Sequence, residues 1–141
     1  MRVMVMIKSN SESEAGAAPS TEQLEAMSRY NEELVKAGVM LDGNGLTSSA
    51  DGAIVSFTDG EPTVIDGPFT EAKELVAGYW LLEVRSLEEA IEWVKKIPGE
   101  PDEEGDVEIR PLYEADELGD GFTEEVRERQ RKIAEQIAQR G

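Results

Sequence analysis

The chain has 141 residues, 39% hydrophobic and 32% charged, with 31 acidic against 14 basic side chains and a formal net charge of −17. At this length one domain is expected, and so negative a surface argues against nucleic acid as a partner, because that binding depends on Lys and Arg displacing counterions. The absence of Cys and His removes disulfides, thiolate catalysis, the Ser-His-Asp machinery and the commonest metal ligand, so neither a cofactor nor a metal site is expected.

No apolar run reaches the ~18 to 20 residues of a membrane span, and the first ends at Lys8, too short for a signal peptide. No membrane association and a cytoplasmic location are the expectations. Arg2 to Lys8 has a continuous apolar centre (Val3, Met4, Val5, Met6, Ile7), the pattern of a central strand covered on both faces. Ser9 to Pro19 is rich in Ser, Ala and Gly without periodicity and reads as a loop.

Pro19-Ser20-Thr21-Glu22-Gln23 opens a helix, with Ser20 as N-cap and Gln23 completing a capping box, and Gly38 closes it. Leu24, Met27, Leu34, Val35 and Gly38 form one stripe with Asn31 near its centre. That amide either bonds a group in the core or points into a cleft between helix and sheet. Val39-Met40-Leu41 reads as a short strand and Asp42-Gly43-Asn44-Gly45 as a turn; no helix opens after its Gly-x-Gly, so it is not a nucleotide fingerprint. Ala53 to Phe57 and Thr63 to Ile65 flank Thr58-Asp59-Gly60-Glu61, a hairpin signal.

The hairpin delivers the chain to Asp66-Gly67-Pro68-Phe69, where a turn pair and a proline force a change of direction. Thr70 is placed to cap a turn of helix over residues 71–74. In Val76 to Val84, alternation puts Tyr79, Leu81 and Glu83 on one face and Trp80, Leu82 and Val84 on the other, the better candidate for the core. Ser86 with Glu89 is a second capping box, opening a helix whose stripe is Leu87, Ala90, Ile91, Val94 and Ile97 and which stops at Pro98-Gly99, with Trp93 at the stripe's edge.

Residues 99–120 hold ten acidic side chains and one basic, Arg110. Asp102 to Asp106 lacks the ligand spacing of a calcium loop and reads as a solvated turn. Val107 to Tyr113 is the last strand, with Pro111 favouring an edge. Arg110 either pairs with a carboxylate such as Glu83 or holds an anionic ligand. Phe122 and Thr123 start a final helix whose stripe of Val126, Ile133 and Ile137 is thin and broken by Gln130; such a helix needs a docking partner.

Asp66-Gly67-Pro68-Phe69, then Glu71-Ala72-Lys73-Glu74 and Gly78-Tyr79-Trp80, then Glu108-Ile109-Arg110-Pro111-Leu112, occur in an order that resembles the DGPF-domain family of the YCII-related superfamily. The likeness covers residues 1–118 and leaves 119–141 as a helical extension. It implies a ferredoxin-like α+β unit, an antiparallel sheet with helices on one face, pairing as a dimeric α+β barrel in a superfamily whose activities are mostly unassigned. Some relatives of that barrel type are lactone isomerases or dehalogenases. Tyr30-Asn31-Glu32-Glu33-Leu34 is similar to a region where some YCII-type relatives carry a His paired with an Asp; here Asn31 stands in that place, and the acid-base role goes with the missing His.

The element order fits that unit on its own terms. The sheet face bearing Met4, Met6 and Tyr79 is too apolar for solvent, and a homodimer packing these faces together resolves this. Three functions stay open. The first is small-molecule binding in a cleft lined by Tyr30, Asn31, Asp66, Phe69, Tyr79 and Arg110. The second is an isomerase or lyase for lactone-like substrates, with Asp66 as general base and Arg110 or Asn31 holding the oxyanion; Asp66 is equally explained as a turn residue. The third is a structural interaction module built on the acidic surface and the tail helix.

Overall fold

The computed structural model describes residues 1–69, 74–99, 105–114 and 117–140. The chain divides into two compact units, Met1–Pro111 and Leu112–Gly141. The first runs β1 (Arg2–Lys8), α1 (Ser11–Glu14), α2 (Thr21–Lys36), β2 (Met40–Gly45), a 3-10 turn (Ser49–Asp51), β3 (Ala53–Thr58), β4 (Glu61–Asp66), β5 (Val76–Glu83), α3 (Leu87–Val94) and β6 (Val107–Pro111). Strands β2-β5-β1-β6 form a four-stranded sheet in that order, with β3 and β4 in a sheet of their own. Every pairing is antiparallel. With helices between β1 and β2 and between β5 and β6, this is the ferredoxin-like α+β topology expected above.

Helices α2 and α3 bury one face of the sheet. Val3, Val5, Leu82 and Ala90 are at most 1% exposed, and Tyr30, Leu34, Val39, Trp80 and Val84 complete the core. The faces of β5 fall as the alternation requires, with Trp80, Leu82 and Val84 inward. Both helix starts also hold: Ser20 and Gln23 cap α2 reciprocally, and Ser86 accepts from the Glu89 amide at α3. At α3, however, the Glu89 carboxylate reaches back to the Arg85 amide rather than to that of Ser86.

The structure corrects several local expectations. The α2 stripe is rotated: Leu24 and Val35 are exposed, while Tyr30 and Leu34 are buried and Met27 packs against the core. The rotation follows from Tyr30, a large ring that gains more by burial than Leu24 or Val35. In α3, Leu87 and Ile91 are likewise exposed at the rim, and Trp93 packs on the core instead. Ser9 to Pro19 is not all loop. Asn10 accepts from the Ser13 amide while the Asn10 amide donates to the Ser13 hydroxyl, closing the short helix α1.

Asp42 to Gly45 is not a turn but the body of β2, paired with Leu81 to Gly78 of β5. Glycine stands at 43 because a Cβ there would come within 2.8 Å of the Trp80 ring. The hairpin behaves as its sequence suggests: Asp59 and Gly60 both have positive φ, 54° and 81°, the conformation of a type I′ turn. Its Val55, Phe57 and Val64 are exposed. The proposed cap at Thr70 and the acidic stretch 102–104 lie outside the described residues.

The second unit contains α4 (Glu124–Arg140). Thr123 caps it through the Val126 amide, the Arg127 guanidinium stacks 4.9 Å over the Phe122 ring, and Arg131 pairs with Glu128 and Glu135. Ile133 and Ile137 are exposed. No described helix is long and apolar enough to cross a membrane.

Candidate functional site

Beyond one end of the sheet, four segments of the first unit line an open cleft of about 760 Å³. The capped turn of α1 and its exit supply Glu12, Ser13, Gly16, Ala17 and Ala18. The first turns of α2 supply Glu22, Gln23, Ala26 and Met27, and the chain after β2 supplies Leu46, Thr47, Ser48 and Asp51. Ala77 and Pro98 close the remaining side. Small side chains dominate this lining, which leaves room for a ligand. Three carboxylates stand in it, Glu12, Glu22 and Asp51, and no lining residue is Lys or Arg.

One wall is fastened to the Asp66–Phe69 turn by a hydrogen-bond bracket. The Glu14 carboxylate accepts from the Ser49 amide at 2.9 Å and from the Ser49 hydroxyl at 2.5 Å, and the Glu14 carbonyl accepts from the Ser48 hydroxyl at 2.8 Å. The Phe69 amide donates to Ser49 Oγ at 2.9 Å, and the Gly67 amide to the Gly52 carbonyl at 3.1 Å. Gly67 sits so close under the 3-10 turn that a Cβ would lie 1.7 Å from the Ser49 carbonyl oxygen. The turn therefore serves as a buttress for the cleft wall.

The residues singled out from sequence fall in three places. Tyr30 and Asn31 belong to the helix-covered side. The Tyr30 hydroxyl donates to the Trp93 carbonyl at 2.7 Å, its ring meets Trp80 edge-on at 5.6 Å, and Asn31 Oδ1 accepts from Trp80 Nε1 at 2.8 Å. Burial pushes the Tyr30 phenol up to about 12, with the Glu33 carboxylate adding to the effect. Asp66 is exposed at the end of β4 and Phe69 half-buried after it.

Tyr79 and Arg110 lie on the opposite, open face of the sheet. Register sets two rows across it, Asn44-Tyr79-Met6-Glu108 and Asp42-Leu81-Met4-Arg110. The Tyr79 hydroxyl donates to Asp42 at 3.3 Å and accepts from Asn44 at 3.1 Å. Arg110 does not pair with Glu83, because β1 separates their strands; it lies 3.3 Å from Glu108, which Lys8 approaches to 3.0 Å on its other oxygen. The hydrogen bonds from Lys8 and then Arg110 hold the Glu108 carboxyl below its ordinary range.

The model of the YCII-related domain matches residues 1–116. The chain belongs to the YCII-related domain family. A relative in Rhizobium meliloti (strain 1021), itself an uncharacterized protein, is 32% identical over 94 residues, covering 65% of this chain and 76% of that protein. The stretch matched by the family model, residues 1–116, holds the ferredoxin-like body of this YCII-related chain, including the cleft and both faces of its sheet.

Sequence reasoning missed Glu12, Glu14, Glu22, Ser49 and Asp51. The Asn10-x-x-Ser13 spacing was a usable signal for α1. Nothing local marks Ser49, whose partners are 20 and 35 positions away.

Proposed function

We propose that this YCII-related protein is a cytoplasmic small-molecule-binding homodimer that takes its ligand in the cleft between α1, α2 and the chain after β2. The observation that carries the reading is the cleft itself, whose volume of about 760 Å³ falls in the range of small-molecule sites. Its lining selects the ligand class. With three carboxylates and no cation in the walls, an anion would be repelled, whereas a neutral polar molecule or an amine finds hydroxyls, backbone groups and opposite charge. Of the residues marked by sequence, Phe69 is part of the buttress, and Tyr79 and Arg110 belong to the dimer face. Binding is favoured over turnover by Asp66, because Asn31 already accepts from Trp80 and Arg110 lies across the sheet from it.

Pairing is supported by the open face of the sheet. Met4, Met6, Tyr79 and Leu81 form an apolar strip there, outside the core built by α2 and α3. A strip of this kind is normally covered by another element or a second chain.

The test is a thermal-shift panel of small amines, neutral polar metabolites including lactones, and carboxylates, run on wild type and on Ala18→Trp, which fills the cleft from an exposed position. Ligand bound to the folded state raises the melting temperature with concentration. Amines or neutral compounds are expected to shift the wild type and not the variant. Shifts produced by carboxylates alone, or shifts that survive in Ala18→Trp, would overturn the reading.

A further inference from the structure

The cleft beside α1 and α2 is not polar throughout. Its three carboxylates stand on α1 (Glu12), on the first turn of α2 (Glu22) and on the 3-10 turn (Asp51). None of these side chains is bonded to another group among the described residues. The side toward the sheet is apolar. Ala26 and Met27 continue the α2 wall one turn beyond Glu22, and Met27 packs against the core. The Leu46 amide donates to the Ala77 carbonyl at 2.8 Å, joining these two at the end of the sheet. Half-buried Pro98 completes the floor.

Resting on the cleft reading above, we propose that the ligand is an amphiphilic amine, one ammonium head on an apolar alkyl or aryl body. The head sits among Glu12, Glu22 and Asp51 and the body lies on the floor of Ala26, Met27, Leu46, Ala77 and Pro98. Each half of the site demands its half of the ligand. Three unpaired carboxylates in a protein of net charge −17 repel one another and draw cations. Charge alone does not hold a ligand there, because all three are exposed and water and salt screen such attractions. The floor supplies the rest: Leu46 is 52% exposed, and an apolar body laid over it takes both surfaces out of water.

Other ligand types use only half of this arrangement. A neutral polar molecule leaves the carboxylates unpaired and the floor wet. A diamine as long as the site sets its second charge on apolar side chains, at a desolvation cost. The spacing suits a single head, since Glu22 and Ala26 are four residues apart on one helix, about 6 Å along its axis. A body of a few carbons therefore reaches the floor while its ammonium stays with the carboxylates.

Calorimetric titration of the full-length protein tests this with n-propylamine, n-butylamine, n-hexylamine, 1-hexanol and 1,6-diaminohexane. The variants are Leu46→Asn and a triple neutral variant, Glu12→Gln with Glu22→Gln and Asp51→Asn, all at exposed positions, with circular dichroism as the check on folding. Amine affinity is expected to rise about three- to fourfold per added methylene, with hexanol and diaminohexane about tenfold or more below hexylamine. The triple variant should weaken hexylamine by about tenfold and leave hexanol unchanged, and Leu46→Asn should flatten the length dependence. Hexanol or diaminohexane binding as tightly as hexylamine, an undiminished triple variant, or no alkylamine binding at millimolar concentration would overturn the inference. The cleft reading would survive any of these if a neutral compound still shifts the wild type and not Ala18→Trp. An alkylamine that binds Ala18→Trp as well as wild type would overturn both.

Discussion

The indole N–H of Trp80 donates to the amide oxygen of Asn31 across 2.8 Å, joining the centre of β5 to the middle of α2. This bond explains a polar residue on the buried side of a helix. A half-buried amide without a partner would be costly, and so would an indole N–H. Replacing Asn31 by Ala is expected to cost about 1 to 3 kcal/mol, the penalty for leaving that donor unmade. Chemical denaturation of Asn31→Ala, Trp80→Phe and the pair measures it. The double variant should lose clearly less than the two singles together; strict additivity would mean the bond contributes nothing.

Gly67 is held against the Ser49 carbonyl by a separation no side chain fits, since a Cβ would lie 1.7 Å from that oxygen. Gly67→Ala is expected to destabilise by about 3 kcal/mol, at the upper end of overpacking effects. Gly45→Ala is the control, because a Cβ there meets nothing within 4 Å. Equal denaturation midpoints for the two variants would show that the turn does not bear on the cleft wall.

Ser49 links Glu14 to the Phe69 amide with its one hydroxyl. Ser49→Ala should therefore cost about 1 to 2 kcal/mol, and Glu14→Ala together with Ser49→Ala should cost less than the two singles summed, because both remove the hydroxyl–carboxylate bond while only Glu14→Ala also takes the acceptor from the Ser49 amide. Amide exchange offers a second readout. Faster exchange at Phe69 in Ser49→Ala is the expected result, and an unchanged rate would dissolve the bracket.

Burial raises the Tyr30 phenol from its ordinary 10.0 to about 12, with Glu33 contributing second. The fold thus prefers the neutral form. The stability this supplies is complete below pH 10 and is lost as pH climbs toward 12. Denaturation series across that window should show the stability gap between wild type and Tyr30→Phe narrowing with rising pH. A gap that stays constant would show that the phenol does not titrate late.

Much of the fold was legible because its signals are local. The apolar run Val3 to Ile7, the Ser20 and Ser86 caps, the Asp59-Gly60 hairpin and the alternation in β5 each depend on neighbours within a few positions. Asp42 to Gly45 misled because glycine marks both turns and close approaches. What distinguishes them at Gly43 is the Trp80 ring, 37 residues later. The helix stripes were rotated for a related reason: periodicity identifies an apolar arc, but Tyr30 and Trp93 decide its centre by size.

The candidate site was far less legible. The cleft draws on four segments, mostly through Ala, Gly and Ser, which carry no chemical signature. Its bracket joins Glu14 to Ser49 and Ser49 to Phe69, pairs that no spacing rule connects. The residues with evident chemistry are spread instead over the core side, the open face and the turn. Tyr30 and Asn31 are occupied by core hydrogen bonds, and Arg110 by its neighbour Glu108.

The most direct test of the central claim is amide chemical-shift mapping with the strongest amine or neutral compound from the thermal-shift panel. Cleft binding predicts concentration-dependent movement at Ala17, Ala18, Leu46, Thr47, Ser48 and Ala77, which line the cavity. Movement confined to Tyr79, Leu81 and Arg110 on the open face, with the cleft amides unmoved, would contradict it.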